Sequence, residues 1–145
     1  MRIPTEYEEF WATGERLHSD LDRSRFLEAF AFGDSESMAA ELAGLVLRGT
    51  KRATASLVWI YAHDAREQPK AGDLSIVTTW SKEPLCIIET TAVEVVPFEE
   101  VTEEFARIEG EDDGTLTSWR RNHTAFFSGE CSRIGRIPDA RMPIV

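Results

Sequence analysis

The spacing of apolar positions changes period along this chain, and each change marks a class of element. Up to Leu47 the pattern is helical. In "PTEYEEFWATGERL", Tyr7, Phe10 and Trp11 fall at helical spacing, with Pro4 near the start and Gly14 late in the run. The short segment "SRFLEAFAFG" is apolar on most sides and continues the helical reading. The clearest helix is "DSESMAAELAGLVLRG". Asp34 or Ser35 can cap its first turn, Met38, Leu42, Leu45 and Val46 share one face, and Arg48 precedes Gly49 at the expected stop.

After Gly49 the period shifts toward two. "ATASLVWI" alternates small or hydroxylated residues before turning apolar, "DLSIVTTW" follows a loop ending in Gly72-Asp73, and "LCIIETTAVEVVPF" is long and β-branched, with Glu89 and Glu94 as its only charges. Three strands in succession predict a meander or small barrel. Beyond Pro97 the helical period returns in "TEEFARIEG" and in "TLTSWRRNHTAFF", where Leu116, Trp119, His123, Phe126 and Phe127 fall on roughly one face. The tail "RMPIV" reads as the beginning of a further strand.

Composition narrows the class. The 145 residues, 42% hydrophobic and 10% aromatic, suit one folded domain. No run approaches a membrane span and the start lacks a signal-peptide layout, so the expectation is a cytoplasmic protein with no membrane partner. Cys86 and Cys131 are far apart and read as buried thiols, and His18, His63 and His123 are scattered, so neither a metal nor another cofactor is expected. The signature of the zinc nucleobase deaminases, H-x-E with P-C-x-x-C, does not occur.

A net charge of −10 excludes a protein that coats nucleic acid with its whole surface. The acidic residues crowd into "EYEE", "FEEVTEEF" and "EGEDD", whereas cations gather in "RGTKR", "WRRNH" and "SRIGR". Convergence of those three segments would make a basic cleft in an acidic molecule. The plainer readings are that these cations are solvated, that Lys51 and Arg52 complement the negative end of the helix stopping at Gly49, and that Glu109 and Glu111 face water. Trp11, Trp59 and Trp119 lie in apolar patterns, while Trp80 precedes Ser-Lys-Glu-Pro and could sit at a rim where a base stacks.

Taken in order, the helix ending at Gly49, the Lys51-Arg52-Ala53-Thr54 segment, "AGDLSIV", the strand running into "VPFEEVTEEFARIEGED", and "SWRRNHTAFF" resemble the ASCH domain, a relative of the PUA-like fold. The resemblance covers about Phe32 to Phe127. It implies an α+β protein, a small and mostly antiparallel β-barrel flanked by helices, with residues 1–145 as a single domain and about 1–33 as a helical N-terminal extension. Members of that family normally continue beyond the position of "RMPIV" into a full closing strand. The family includes amidohydrolases that remove the acetyl group from N4-acetylcytidine and at least one ribonuclease. The implied partner is therefore RNA or a modified nucleoside, with no DNA partner.

Carried over residue by residue, the amidohydrolase pattern implies Lys51, Thr54 and Glu109 as catalytic residues, with Glu111 as the alternative acid. Arg52, Ser56, Glu111, Trp119, Arg120 and His123 are the implied substrate-binding residues. An amide carbonyl needs a nucleophile, a base and an acid, which Thr54, Lys51 and Glu109 can supply in that order. Lys51 serves as a base only if its amine loses a proton far below the free-lysine value of about 10.4. A close Glu109 opposes that loss unless the carboxyl is partly protonated. Residues 51 and 54 have opposite parity, so on a regular strand they would face opposite sides, and convergence needs a bend near Gly49. The alternatives are a ribonuclease acting on single-stranded RNA and an RNA-binding module without turnover.

Overall fold

The computed structural model describes residues 2–145. They form an α+β fold of five α-helices and five short strands: α1 Glu8–Leu17, β1 Phe26–Phe30, α2 Glu36–Leu47, α3 Trp59–His63, β2 Leu74–Thr78, β3 Pro84–Glu89, β4 Val96–Pro97, α4 Glu103–Glu109, α5 Leu116–Ile134 and β5 Pro143–Ile144. The chain divides into two compact units, one of residues 2–43 with Pro69–Val93, the other Gly44–Gln68 with Glu94–Val145.

The first unit is built on a three-stranded sheet in the order β1-β2-β3. Every residue of β2 is buried, as a central strand with both faces covered requires. β1 runs parallel to β2 and β3 antiparallel to it, so the sheet is mixed. Ile3, Tyr7, Trp11, Phe26, Leu74 and Ile76 form the core of this unit. Trp11 meets Phe26 edge-on at 5.7 Å.

The second unit holds Leu57, Ile60, Tyr61, Val101, Ala106, Trp119, Phe127, Cys131, Met142 and Ile144 as one core. On α5, Trp119, His123, Phe127 and Cys131 recur at four-residue intervals and are all buried, the stripe of a helix packed along one face. The Thr115 hydroxyl caps this helix by accepting from Ser118 N at 3.2 Å. Asp113 Oδ1 in turn accepts from the Thr115 amide at 2.9 Å. β4 and β5 pair antiparallel, Ile144 also bridges to Leu57, and Ser56 and Val145 exchange both backbone hydrogen bonds. "RMPIV" thus enters a ladder.

Three sequence expectations are corrected. "SRFLEAFAFG" contains β1 rather than a helix, because a five-residue apolar run is too short for its period to separate strand from buried helix. "ATASLVWI" contributes only the bridge at Leu57 and then turns into α3. The long strand through "LCIIETTAVEVVPF" ends at Glu89, with Thr90 still bonded to Gly72 and Asp73; Val93 and Val95 are exposed, and strand structure resumes only at Val96. The ladders are a three-stranded mixed sheet and a two-stranded antiparallel one, so the three-strand meander is not formed and no closed barrel appears among the described residues.

Candidate functional site

Lys51 leaves the turn that ends α2 and goes inward, which is unusual for a lysine, and it is only 4% exposed. Its backbone amide bonds to Leu45 O at 3.1 Å, so the chain reverses tightly behind Gly49, whose φ is +77°. Burying an ammonium requires acceptors for its protons, and three are present. Lys51 Nζ donates to Ala53 O at 2.7 Å, Glu109 Oε2 at 3.0 Å and Glu111 Oε2 at 3.1 Å.

The two carboxylates are delivered by the end of α4. Thr102 caps the start of this helix by accepting from Phe105 N, and Gly110 ends it in the left-handed region at φ +70°. The reversal at Gly110 turns Glu109 and Glu111 toward the same ammonium, although they are only two residues apart. Glu109 is the deeper, 1% exposed. Its Oε1 receives the Trp119 indole N–H in a very short hydrogen bond and lies 3.1 Å from His123 Nε2. His123 Nδ1 lies 2.9 Å from Trp119 O, and the imidazole stacks on the Trp119 ring at 4.0 Å with 13° between the planes. The Glu111 side chain keeps 20% of its surface and lies 3.9 Å from His123 Nε2, beyond hydrogen-bond length.

These surroundings separate the two acids. Burial alone would raise Glu109, but the hydrogen bond from His123 and the charges of Lys51 and His123 outweigh it and hold the carboxyl down to about 2. Glu111 is raised, first by burial and then by the negative charge on Glu109, with Lys51 only partly offsetting them. The two acids are thus shifted in opposite directions.

Glu109, Glu111 and His123 offer one donor atom each within 4.8 Å, a spacing that suits a cation. The cation between the two carboxylates is Lys51 Nζ. Both Glu109 oxygens already face N–H donors, so a metal would have to displace the lysine from its shell.

The remaining implied residues are placed as follows. Thr54 is exposed, three residues beyond the buried Lys51, and the segment between them is neither helix nor strand, so the parity of a regular strand does not govern it. Arg52 is exposed, and its amide bonds to Ile108 O at 3.0 Å. Ser56 is half-buried and takes part in the backbone pair with Val145. Arg120 donates to Glu99 O at 2.8 Å and borders a groove of about 390 Å³ lined also by Phe98, Thr124, Ser128 and Met142. Arg133 pairs with Asp64 at 2.8 Å, and Arg136 sits 3.9 Å above the Trp59 ring. The three basic segments therefore spend much of their charge on separate local partners.

Two participants escaped the sequence reading. The Ala53 carbonyl carries no side-chain signature. Gly110 does: a glycine between two glutamates at the end of a helical pattern marks a reversal that brings both acids to one side.

The ASCH domain family model matches residues 28–145. The chain belongs to the ASCH domain family. Among solved structures, it is similar to an ASCH domain from Lactobacillus crispatus, with 36% identity, a TM-score of 0.82, and coverage of 94% of this chain and 89% of that one. It is also similar to a protein from Enterococcus faecalis, with 34% identity, a TM-score of 0.83, and coverage of 94% and 82%. No curated protein matches this ASCH chain. Among its described residues no helix is long and apolar enough to cross a membrane.

Proposed function

We propose that this ASCH protein is a hydrolase acting on RNA-derived or modified nucleosides, with N4-acetylated cytidine as the substrate class and Lys51, Thr54 and the Glu109/Glu111 pair as its site. The observation that carries the reading is the buried Lys51 ammonium between two inequivalent carboxylates, three residues before an exposed hydroxyl. Family membership supports an RNA-related substrate. The net charge of −10 favours a small, uncharged nucleoside over a long polyanion.

An ammonium paired to two carboxylates is no base as it stands. Its 3.1 Å contact with Glu111 provides a route: a proton passes from Lys51 to Glu111, leaving a neutral amine beside a neutral acid. The Thr54 oxygen then attacks the amide carbonyl carbon while its proton moves to Lys51. The tetrahedral adduct collapses by breaking the carbon–nitrogen bond, and the Glu111 carboxyl protonates the departing amine. Water then adds to the acetyl–Thr54 ester, the bond from the acetyl carbon to the Thr54 oxygen breaks, one water proton restores the hydroxyl, and the acetyl group leaves as acetic acid, which gives its proton to solvent. Lys51 and Glu111 end in the charge states in which they began.

The test is hydrolysis of N4-acetylcytidine, with circular dichroism to verify folding. Thr54→Ser should retain measurable turnover, whereas Thr54→Ala should lose it by about three orders of magnitude or more. Single-stranded RNA is assayed beside it. Cleavage of RNA by wild type and Thr54→Ala alike, with the nucleoside untouched, would replace the amidohydrolase by a ribonuclease using the substrate's own 2′-hydroxyl. Binding of RNA without any turnover would make the protein a binding module.

A further inference from the structure

We propose that His123, implied by family resemblance as a substrate contact, is instead a positioning residue that fixes Glu109 as an ionised anchor and so leaves Glu111 as the carboxyl that exchanges protons with Lys51. Only the kinetic arm of this proposal rests on the hydrolytic reading above.

The His123 imidazole has an oxygen beside each of its ring nitrogens. Its Nδ1 faces a backbone carbonyl at 2.9 Å, and a carbonyl can only accept, so Nδ1 carries a hydrogen. The other nitrogen, Nε2, faces Glu109 Oε1 at 3.1 Å. Both nitrogens therefore face oxygen, an arrangement satisfied when the ring donates in both directions. Its orientation is held by the stack on Trp119, and Trp119 aims its own N–H at the same Glu109 oxygen.

Glu109 Oε1 thus accepts the Trp119 N–H and lies 3.1 Å from His123 Nε2, while Oε2 accepts from Lys51. A proton placed on this carboxyl would point at a donor, and the side chain is 1% exposed, so no substrate reaches it. Glu111 differs: it keeps exposed surface, accepts from Lys51, interacts with the Glu109 carboxyl, and makes no hydrogen bond to His123. The titratable groups around the ring are Glu109 at the end of α4 and Glu111 in the loop after it, with Lys51 bonded to both. The depressed titration of Glu109 and the raised titration of Glu111 agree with this division.

Two substitutions test the role. His123→Gln offers an N–H donor for Glu109 but carries no charge, while His123→Phe keeps an aromatic face against Trp119 and removes both donors. Carbon-13 carboxyl titration of glutamate-labelled protein should show Glu109 moving up by about one pH unit or more in His123→Phe, the size of one lost neighbouring charge, and by less in His123→Gln. The acid limb of the pH–rate profile for N4-acetylcytidine hydrolysis should move in the same direction, with His123→Gln retaining more activity at neutral pH. An unmoved Glu109 titration in both variants would overturn the proposal. Should His123→Phe fail to fold, His123→Gln applies the same criterion alone. If wild type hydrolyses no acetylated nucleoside, the hydrolytic reading fails, and the carboxyl titration still decides the role of His123.

Discussion

Gly110 lies against the backbone carbonyl of Thr50, so close that a Cβ on Gly110 would come within 2.4 Å of the Thr50 oxygen. The contact joins the residue between the two acids to the residue before the lysine. It lets the reversal after α4 seat Glu109 and Glu111 against Lys51, and the bond from Arg52 N to Ile108 O at 3.0 Å fastens the same two segments.

Gly110→Ala should therefore damage the site through the backbone. Its φ of +70° already costs a side chain about 1 kcal/mol, and the clash with Thr50 adds to that, for a total loss of about 2–4 kcal/mol in urea unfolding. Gly135→Ala is the control: φ is +73° there as well, but nothing lies within 4 Å of the added carbon. It should lose only the conformational part, about 1 kcal/mol. Equal losses in the two variants would show that the contact with Thr50 is unimportant.

Removing the ammonium should be worse than removing a surface charge. Lys51→Met leaves Glu109 and Glu111 facing each other in a buried site, and stranding a buried charge costs about 3–5 kcal/mol. At neutral pH the variant should unfold at much lower urea. Part of the deficit should return near pH 4–5, where protonating a carboxyl relieves the repulsion. A loss below about 1 kcal/mol, independent of pH, would place the pair in the same class as exposed ion pairs.

Glu109 should mark the acid limit of stability. Its folded value of about 2 lies below the ordinary 4.5, so its ionised form stabilises the fold above about pH 4.5, and that contribution is lost as pH falls toward 2. The stability gap between wild type and Glu109→Gln should narrow across this window. Glu111, being raised, acts in the opposite sense, and its contribution fades as pH rises above 4.5. Urea midpoints between pH 2 and 6 measure both; a constant gap would mean that Glu109 titrates normally in the fold.

Association with long RNA should be weak and salt-sensitive. Of the three cations in "RGTKR", Arg48 and Arg52 are exposed, while Lys51 is committed to carboxylates. Two phosphate contacts give a salt slope of about −1.4 for a single strand. Titrations of labelled RNA at several salt concentrations measure that slope. Tight binding that ignores salt would contradict the charge distribution.

What could be read in advance followed from local chemistry. The face of α5 holding Leu116, Trp119, His123, Phe126 and Phe127 is visible as a period, and the step from α2 into Lys51 is marked by Gly49. The association of Lys51 with Glu109 and Glu111 spans about sixty residues, and only the family resemblance proposed it. The failures were segments whose local signal is ambiguous. Phe26–Phe30 gains its strand identity from pairing with β2, a partner more than forty residues away. "TAVEV", after Thr90, has strand composition but no partner strand, so β-branching alone did not make it part of a sheet. The ion-pair length between Lys51 and Glu109 also removed the simplest role for the lysine, since an amine between two carboxylates keeps its proton until one of them takes it.

The stack of His123 on Trp119 also makes the site its own optical reporter. An imidazole lying 4.0 Å over an indole and nearly parallel to it quenches indole emission most strongly when the ring is cationic. Trp119 should consequently emit less than Trp11, Trp59 and Trp80. A ligand or a substitution that draws His123 away from its partners should brighten the protein, and Trp119→Phe should abolish that increment. Occupancy of a colourless site could then be followed in real time without a label.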